Sequence, residues 1–266
     1  MAPLSRNFIK SFMKKWLLSF WVCALIFITI VILTSSRKEV SKVAAGNSKV
    51  VVVMELFTSQ GCSSCPAADR LLGKYAAGND DRILPLSFHV DYWNRLGWTD
   101  PFSSKRFTER QNNYANRMKL ESIYTPQLII NGQKELVGNE ERAVASAVSN
   151  ALKDSAEISV NLSAPEIKGN NISVSYRLNN MLPNASINAV LLQKEATTNI
   201  RAGENHGVKL TNYNVVRDIS TVPLSGIAGS MALQIPAGYN ASAFSIVLFV
   251  QDNGSGKISG ASKVRL

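Results

Sequence analysis

The chain has 266 residues, 45% of them hydrophobic, which is enough apolar material for a buried core and excludes a chain that is disordered by composition. Its formal net charge is +10, but residues 1–38 contain six basic residues and no acidic ones, which leaves 23 basic and 19 acidic residues, or +4, for the rest. A nucleic-acid-binding protein is expected to cluster Lys and Arg on its folded part. Here they are scattered, so the composition argues against a nucleic-acid partner.

The N-terminal segment contains an uncharged run of 18 residues, 16–33. As a helix this run would be about 27 Å long, close to the thickness of the bilayer core. Four basic residues precede it, which favours export of the chain that follows. The sequence therefore predicts a signal anchor or signal peptide over residues 1–36 and a tether over residues 37–48. The expected location is extracytoplasmic, anchored in the inner membrane and facing the periplasm, or secreted if the segment is cleaved.

The next segment reads as strand, helix and strand. Lys49–Phe57 is a continuous valine-rich run, which is typical of a strand buried on both faces. Cys62–Ala77 consists of good helix formers and ends at Gly78-Asn79. Arg82–Val90 has the composition of a second strand.

A helical insert and a hairpin follow. Asp100-Pro101 predicts the start of a helix, because an acid caps it and proline suits its first position. Asn131-Gly132 is the strongest short signal for a two-residue hairpin turn. Asn139 is then expected to cap a final amphipathic helix.

After Asp154 the pattern changes to short segments that alternate apolar and polar residues. They are separated by turns such as Asp252-Asn253-Gly254. We therefore expect an α/β thioredoxin-like domain over residues 49–153, in the order strand, CxxC helix, strand, helical insert, hairpin, helix. An all-β sandwich-like domain is expected over residues 156–266.

Two of the three cysteines, Cys62 and Cys65, form a CxxC motif where a strand passes into a helix. The unpaired N–H groups and positive dipole end of a helix N-terminus stabilise a thiolate there. Cys62 is therefore the expected exposed nucleophile and Cys65 the thiol that resolves a mixed disulfide. The alternative is an inert structural disulfide.

A second feature supports the redox interpretation. Thr125-Pro126 precedes the hairpin, where thioredoxin-like folds place a cis-proline against the CxxC motif. Pro126 would then shape a substrate groove next to Thr125. Trp93 and Trp98 could line the same groove, or they could pack the insert onto the sheet.

Two further polar residues are candidates for chemistry. Glu55 lies in the first strand, and thioredoxins carry a buried acid in the corresponding strand that assists proton transfer, so Glu55 is a candidate catalytic acid. The alternative is a strand-end glutamate whose carboxylate reaches solvent or a backbone N–H. His89 could join Cys62 and Cys65 as a zinc or copper ligand, although their spacing matches no tight ligand pattern and packing at a strand end is favoured.

The motifs together resemble the bacterial secreted family known as domain of unknown function 1223. The segments that carry the resemblance are Glu55–Pro66, Phe88–Trp93, Leu96–Phe102, Tyr124–Gln127, Asn131-Gly132, Arg201–Asn205 and Val215–Arg217. The resemblance implies a thioredoxin-like fold with a β-rich C-terminal part, and it implies no established activity. The apolar N-terminus is more anchor-like than a routine cleavable signal.

The leading functional hypothesis is an extracytoplasmic thiol–disulfide oxidoreductase that needs no cofactor beyond the Cys62–Cys65 disulfide. Its expected partner is a protein or small molecule bearing a thiol or disulfide, and residues 16–33 would contact the membrane. Two alternatives remain open at this point: a metal-handling protein that uses the same cysteines, and a non-catalytic interaction protein.

Overall fold

Twelve strands and three α-helices make up the part of the chain that the structure, a computed structural model, describes, which is residues 50–266. The strands are β1 (Val52–Thr58), β2 (Ile83–His89), β3 (Gln127–Ile130), β4 (Lys134–Val137), β5 (Val160–Leu162), β6 (Glu166–Lys168), β7 (Asn171–Leu178), β8 (Ala185–Asn199), β9 (Lys209–Pro223), β10 (Ala228–Gln234), β11 (Phe244–Asp252) and β12 (Ile258–Arg265). The helices are α1 (Cys65–Ala77), α2 (Lys105–Met118) and α3 (Glu141–Ala151).

The predicted transmembrane or signal helix of residues 1–36 and the predicted tether of residues 37–48 lie outside the described residues. Within residues 50–266, no helix combines the length and the apolar character needed to cross a bilayer.

Eight strands form one mixed sheet in the order β12-β11-β8-β9-β2-β1-β3-β4. The pairs β1–β2 and β2–β9 are parallel, and the other neighbours are antiparallel. A smaller sheet has the order β10-β7-β5, with β6 also paired to β7. At the carboxyl end of the parallel pair, Thr58 of β1 lies opposite His89 of β2.

The predicted fold class is wrong, because the second half of the chain does not form a sandwich separate from a thioredoxin-like domain. Strand β9 lies beside β2, so β8, β9, β11 and β12 continue the sheet that β1 to β4 begin. Strands β8 and β11 are buried on both faces over most of their length. Such strands belong to the centre of a sheet covered on both sides, whereas the predicted sandwich would leave one face of each strand in water.

Three apolar clusters hold the layers together. On one face of the large sheet, α2 contributes Phe107 and Tyr114 to a cluster with residues of β1, β2, β8 and β11. On the other face, α1 and α3 pack over β1 and β3, and the small sheet packs over β8 and β11. Successive side chains of a strand point to opposite faces, so Phe57 lies on the α2 side and Leu56 on the α1 side.

Helix α2 begins at Lys105 rather than at the predicted Asp100-Pro101. The Ser104 hydroxyl caps it by accepting a hydrogen bond from the Arg106 N–H at 3.3 Å. Asp100 is 2% exposed, and its carboxylate is engaged by buried partners near the end of β2. Asp100, which the sequence predicted as a helix cap, therefore forms hydrogen bonds with buried groups inside the protein instead.

The hairpin between β3 and β4 joins the two halves of the chain. Its turn residues Asn131 and Gly132 have φ values of 48° and 67°, a left-handed conformation that suits these two residue types. A Cβ on Gly132 would lie 1.9 Å from the Gly256 carbonyl oxygen. The Ile258 N–H donates to the Asn131 carbonyl at 3.0 Å, so the β11–β12 segment rests directly on this turn.

Candidate functional site

Cys62 and Cys65 form a disulfide between the end of β1 and the start of α1. Both are buried, with 1% and 0% of their surfaces exposed, whereas Ser63 and Ser64 between them are exposed. Cys62 was the expected exposed nucleophile, and the structure instead encloses its sulfur. Helix α1 begins at Cys65 with no side-chain cap at Ser64, so its first N–H groups have no side-chain acceptor from that residue.

Among the residues predicted to line a groove, Thr125 contacts the disulfide. The peptide bond between Thr125 and Pro126 is cis, and the Thr125 carbonyl oxygen is 3.8 Å from Cys62 Sγ. The Trp93 indole N–H donates to the Thr125 hydroxyl at 2.7 Å, which ties the Thr125 segment to the loop between β2 and α2. Ser64 Oγ is 3.3 Å from Cys62 Sγ on the other side. Trp93 therefore positions Thr125, and Thr125 covers Cys62.

A loop from the second half of the chain, residues 200–208 between β8 and β9, closes over the CxxC segment. The buried Asn205 amide donates to the carbonyl oxygens of Gln60 at 2.8 Å and Cys62 at 2.9 Å. The Glu204 carboxylate accepts a hydrogen bond from the Ser63 N–H at 2.9 Å. Hydrogen bonds from the side chain and backbone of Ser63 lower the pKa of Glu204. This loop, called the clamp loop below, is a contact that the spacing of the cysteines could not indicate.

Gln60, two residues before Cys62, ties the site to three other segments. Its side-chain amide donates to Asn212 Oδ1 on β9 at 2.9 Å, and its backbone N–H donates to Asp100 Oδ2 at 2.8 Å. Its side-chain oxygen accepts from the Trp98 indole N–H at 3.2 Å. Trp98 therefore stabilises the loop before Cys62 through Gln60. The indole N–H groups of Trp93 and Trp98 both donate to side chains of the protein.

A buried polar cluster lies beneath the disulfide, built from Thr58, Asp69, His89 and Asp100. Asp69 is one helical turn after Cys65, and Asp69 Oδ2 accepts a hydrogen bond from the Thr58 hydroxyl at 3.1 Å. His89 Nδ1 lies 2.7 Å from Asp100 Oδ2, and both side chains are fully buried. The cluster gathers an imidazole and two carboxylates behind a disulfide.

The charges in this cluster perturb one another. Burial raises the pKa of Asp69 to about 6, and attraction to His89 limits that rise. Burial alone would lower the pKa of His89, but the Asp100 carboxylate raises it above its ordinary value. Burial alone would raise the pKa of Asp100, and its contact with His89 holds that pKa below its usual range. His89 and Asp100 therefore form an ion pair, with Asp69 as the carboxyl group that titrates nearest to neutral pH.

His89 Nε2 is buried without a hydrogen-bond partner among the described residues. The side chain of Asn212 on β9 interacts with Asp69 and lowers its pKa. Buried polar groups are nearly always paired in folded proteins. His89 Nε2 is an exception to this rule, as are buried side-chain atoms of Ser87 and Ser245 elsewhere in the described residues.

Glu55, the acid predicted to assist proton transfer, is placed on the other face of the sheet. Glu55 alternates with Leu56 along β1, so it points toward α2 rather than α1. It is fully buried and pairs with Arg110, whose Nε is 2.5 Å from Glu55 Oε2. The Arg110 guanidinium also lies 5.6 Å from the ring centre of Phe88 and 5.2 Å from that of Tyr114. Glu55 holds α2 to the sheet and is not brought together with the cysteines.

The alternative metal site of Cys62, Cys65 and His89 has no support in the geometry. Within residues 50–266, no three or more His, Cys, Asp and Glu side chains are grouped in a way that could hold a metal ion. His89 Nδ1 is engaged by Asp100, and the two sulfurs are bonded to each other.

Comparison with known proteins identifies the family. The family model described as "Protein of unknown function (DUF1223)" matches residues 53–251, a range that includes the CxxC segment, the cis Thr125–Pro126 bond and the clamp loop. The chain belongs to this family. No curated protein matches this DUF1223 chain.

Solved structures include one relative of similar extent. It is the crystal structure of a protein from Agrobacterium tumefaciens, determined by a structural genomics consortium, with 29% sequence identity and a TM-score of 0.62. The alignment covers 84% of this chain and 96% of that one. A domain of the outer membrane lipoprotein Omp28 from Porphyromonas gingivalis aligns with 42% of this chain and 88% of its own at 21% identity, with a TM-score of 0.25.

Proposed function

We propose that this DUF1223 chain is a thiol–disulfide oxidoreductase that works through the Cys62–Cys65 pair. The observation that carries the proposal is the disulfide at the start of α1, with a buried titratable carboxyl group one turn behind it. A helix N-terminus favours a thiolate, and a titratable group nearby can exchange protons with the departing or attacking sulfur.

The reaction follows ordinary thiol–disulfide exchange. A substrate thiolate attacks Cys62 Sγ, the bond to Cys65 breaks, and Cys65 takes the electron pair as a thiolate that is then protonated. A second substrate thiolate attacks the substrate sulfur of the mixed disulfide and releases Cys62 as a thiolate. The substrate leaves as a disulfide, and the protein holds two reduced cysteines. The sequence thus oxidises a dithiol substrate, and its reverse, starting from the reduced cysteines, reduces a disulfide substrate.

Access to the sulfur is the requirement that distinguishes this site. Both sulfurs are enclosed, and the clamp loop contributes hydrogen bonds to Gln60, Cys62 and Ser63. Exchange therefore needs the clamp loop or the Thr125 segment to move. Cys62 is the proposed site of attack, because the exposed residues that follow it and the Thr125–Pro126 segment form the surface next to its sulfur.

Burial of the disulfide also favours a second candidate function, a non-catalytic interaction protein in which the bond is purely structural. The enclosed sulfurs are the specific observation behind it, because reactive disulfides are usually accessible. The two candidates predict different reactivity under native conditions.

We also propose an extracytoplasmic location, with residues 16–33 as the membrane contact, and a thiol- or disulfide-bearing protein or small thiol as the partner. The disulfide supports the location, because such bonds persist mainly in oxidising compartments. The scattered charge of the folded part supports no nucleic-acid partner.

The test is a redox titration of the purified full chain in glutathione and dithiothreitol buffers, with Cys62→Ser and Cys65→Ser as controls. We expect a reversible two-electron couple that both substitutions abolish, and native-state exchange that is much faster than global unfolding. A disulfide that exchanges only as fast as the whole protein unfolds would overturn the enzymatic proposal and leave the structural bond.

A further inference from the structure

The carboxyl group of Asp69 is the only acid of the buried cluster that lies on the same helix as a cysteine of the disulfide. Residues four apart on a helix have Cβ atoms about 5–6 Å apart, which lets a carboxylate reach a cysteine sulfur directly or through one water molecule. The Asp69 side chain is buried, its Oδ2 accepts a hydrogen bond from the Thr58 hydroxyl at 3.1 Å, and the Asn212 side chain also interacts with its carboxyl group.

We propose that Asp69 is the proton acceptor for the Cys65 thiol, and that the His89–Asp100 ion pair positions and polarises it. This inference rests on the proposed exchange reaction and assigns a proton-transfer role that the sequence had given to Glu55. Asp69 belongs to α1, the helix that begins at Cys65, whereas Glu55 points to the opposite face of the sheet and pairs with Arg110 of α2.

With a substrate sulfur joined to Cys62 in a mixed disulfide, the Asp69 carboxylate removes the proton from the Cys65 thiol. The Cys65 sulfur attacks Cys62 Sγ, the bond from Cys62 to the substrate breaks, and the substrate leaves as a thiolate. The Cys62–Cys65 disulfide is restored and Asp69 is left protonated. In the opposite direction, protonated Asp69 returns its proton to the Cys65 thiolate.

The surroundings of Asp69 suit a group that alternates between its charge states. His89 on β2 favours the carboxylate, Asp100 after β2 opposes it, and the Thr58 hydroxyl on β1 donates to it. Arg217 on β9 acts on the same cluster by opposing the charged form of His89. With a pKa of about 6, Asp69 is mainly a carboxylate at neutral pH and can still hold a proton transiently.

Substituting Thr58 tests the role of Asp69 without removing its carboxyl group. Its hydroxyl stabilises the charged form of Asp69, so the isosteric change Thr58→Val should raise the pKa of Asp69 while keeping the carboxyl group. Asp69→Asn removes the acceptor altogether at nearly constant shape. Glu55→Gln is the matched comparison, because it also removes a fully buried carboxylate of the sheet core.

The experiment has two readouts on the full chain. In the first, the protein is reduced with dithiothreitol, and the ¹³Cβ signal of Cys65 is followed by NMR from pH 4.5 to 10. In the second, Cys62 is loaded with an aromatic disulfide reagent, and release of the coloured thiolate reports the rate at which Cys65 resolves the mixed disulfide. The wild-type signal should show a step near the pKa of Asp69 in addition to the thiol's own titration.

For Asp69→Asn we expect the lower step to disappear and the resolution rate near pH 6.5 to fall about 100-fold, the low end for loss of a positioned proton acceptor. Thr58→Val should move the lower step to higher pH, and Glu55→Gln should leave its position unchanged. A Cys65 profile that is the same in wild type, Asp69→Asn and Thr58→Val would overturn the inference. The NMR readout needs no substrate, so this failure differs from a wild-type chain that titrates as described but does not exchange.

Discussion

Replacing Asn205 by alanine should loosen the clamp loop and expose the disulfide without altering either cysteine. The Asn205 amide is the donor for two carbonyl oxygens of the CxxC segment, those of Gln60 and Cys62. Asn205 is 7% exposed, so water cannot replace the amide while the loop stays closed. The substitution therefore acts mainly on the difference in free energy between the closed and open forms of the loop.

The size of the effect follows from what the two carbonyl oxygens retain. Cys62 O still accepts a hydrogen bond from the Cys65 N–H at 3.3 Å, so its loss is near the net value of one bond, about 1 kcal/mol. Among the described residues, Gln60 O accepts no other hydrogen bond, so the loss of its only donor costs at least about 1 kcal/mol more. A total of about 2 kcal/mol makes the open form about 30-fold more populated, because 1.4 kcal/mol corresponds to a factor of ten.

The assay is the rate of disulfide reduction by dithiothreitol at pH 7 under native conditions, with free thiols trapped by a maleimide. When loop opening is fast compared with reduction, the rate follows the open population, so Asn205→Ala should react about 30-fold faster than wild type. His206→Ala, at an exposed position of the same loop, is the matched control and should react at the wild-type rate. An Asn205→Ala rate within twofold of wild type would show that the clamp loop does not limit access.

Three further predictions concern the core around the site, all measurable by urea unfolding. Glu55→Gln should cost about 3–5 kcal/mol, because it leaves the Arg110 charge buried beneath aromatic rings without its partner. Gly73→Ala should cost about 1–3 kcal/mol, since its Cβ would lie 2.5 Å from the Tyr213 ring and force β9 away from α1. Because burial raises the pKa of Asp69 from 3.8 to about 6, this group stabilises the fold by about 3 kcal/mol more below pH 4 than above pH 6, and Asp69→Asn should remove that part of the pH dependence. Equal pH dependence in wild type and variant would contradict that assignment.

Local features of the site were predictable because they depend on short stretches of sequence. The CxxC motif at the junction of a strand and a helix identified Cys62 and Cys65, and the structure joins them in a disulfide. Asn131-Gly132 identified the turn between β3 and β4 for the same reason. These signals rest on backbone conformations that few residue types adopt.

The arrangement of the second half was not predictable from alternation alone. Short strands with turns between them fit a separate sandwich and an extension of an existing sheet equally well. The discriminating signal lay in Ala189–Leu192 of β8 and Phe244–Val250 of β11, whose nearly unbroken apolar runs indicate burial on both faces. Parallel pairing of β9 with β2 is a long-range contact, and no local pattern specifies it.

The position of Glu55 relative to the cysteines was not predictable for a related reason. An acid in the first strand and an acid on the first helix are equally visible in sequence, and only the face of the sheet distinguishes them. The signal for Asp69 was its position between Ala68 and Leu72 on the apolar side of α1, one turn after Cys65. Glu204 and Asn205 were visible as a polar loop, but their contact with the cysteines depends on how β8 and β9 fold back.

Because the clamp loop lies far from the cysteines in sequence, the cysteine pair is synthesised well before the loop that covers it. Asn205 lies 143 residues after Cys62, and at ordinary rates of protein synthesis this distance takes on the order of 10 s to produce. During that interval the cysteine pair has neither the clamp loop over it nor β9 beside β2. An oxidant that acts in that interval meets an open pair on an incomplete fold, whereas the finished protein encloses the disulfide. Newly made and mature copies of the same chain should therefore differ sharply in how readily their sulfurs react.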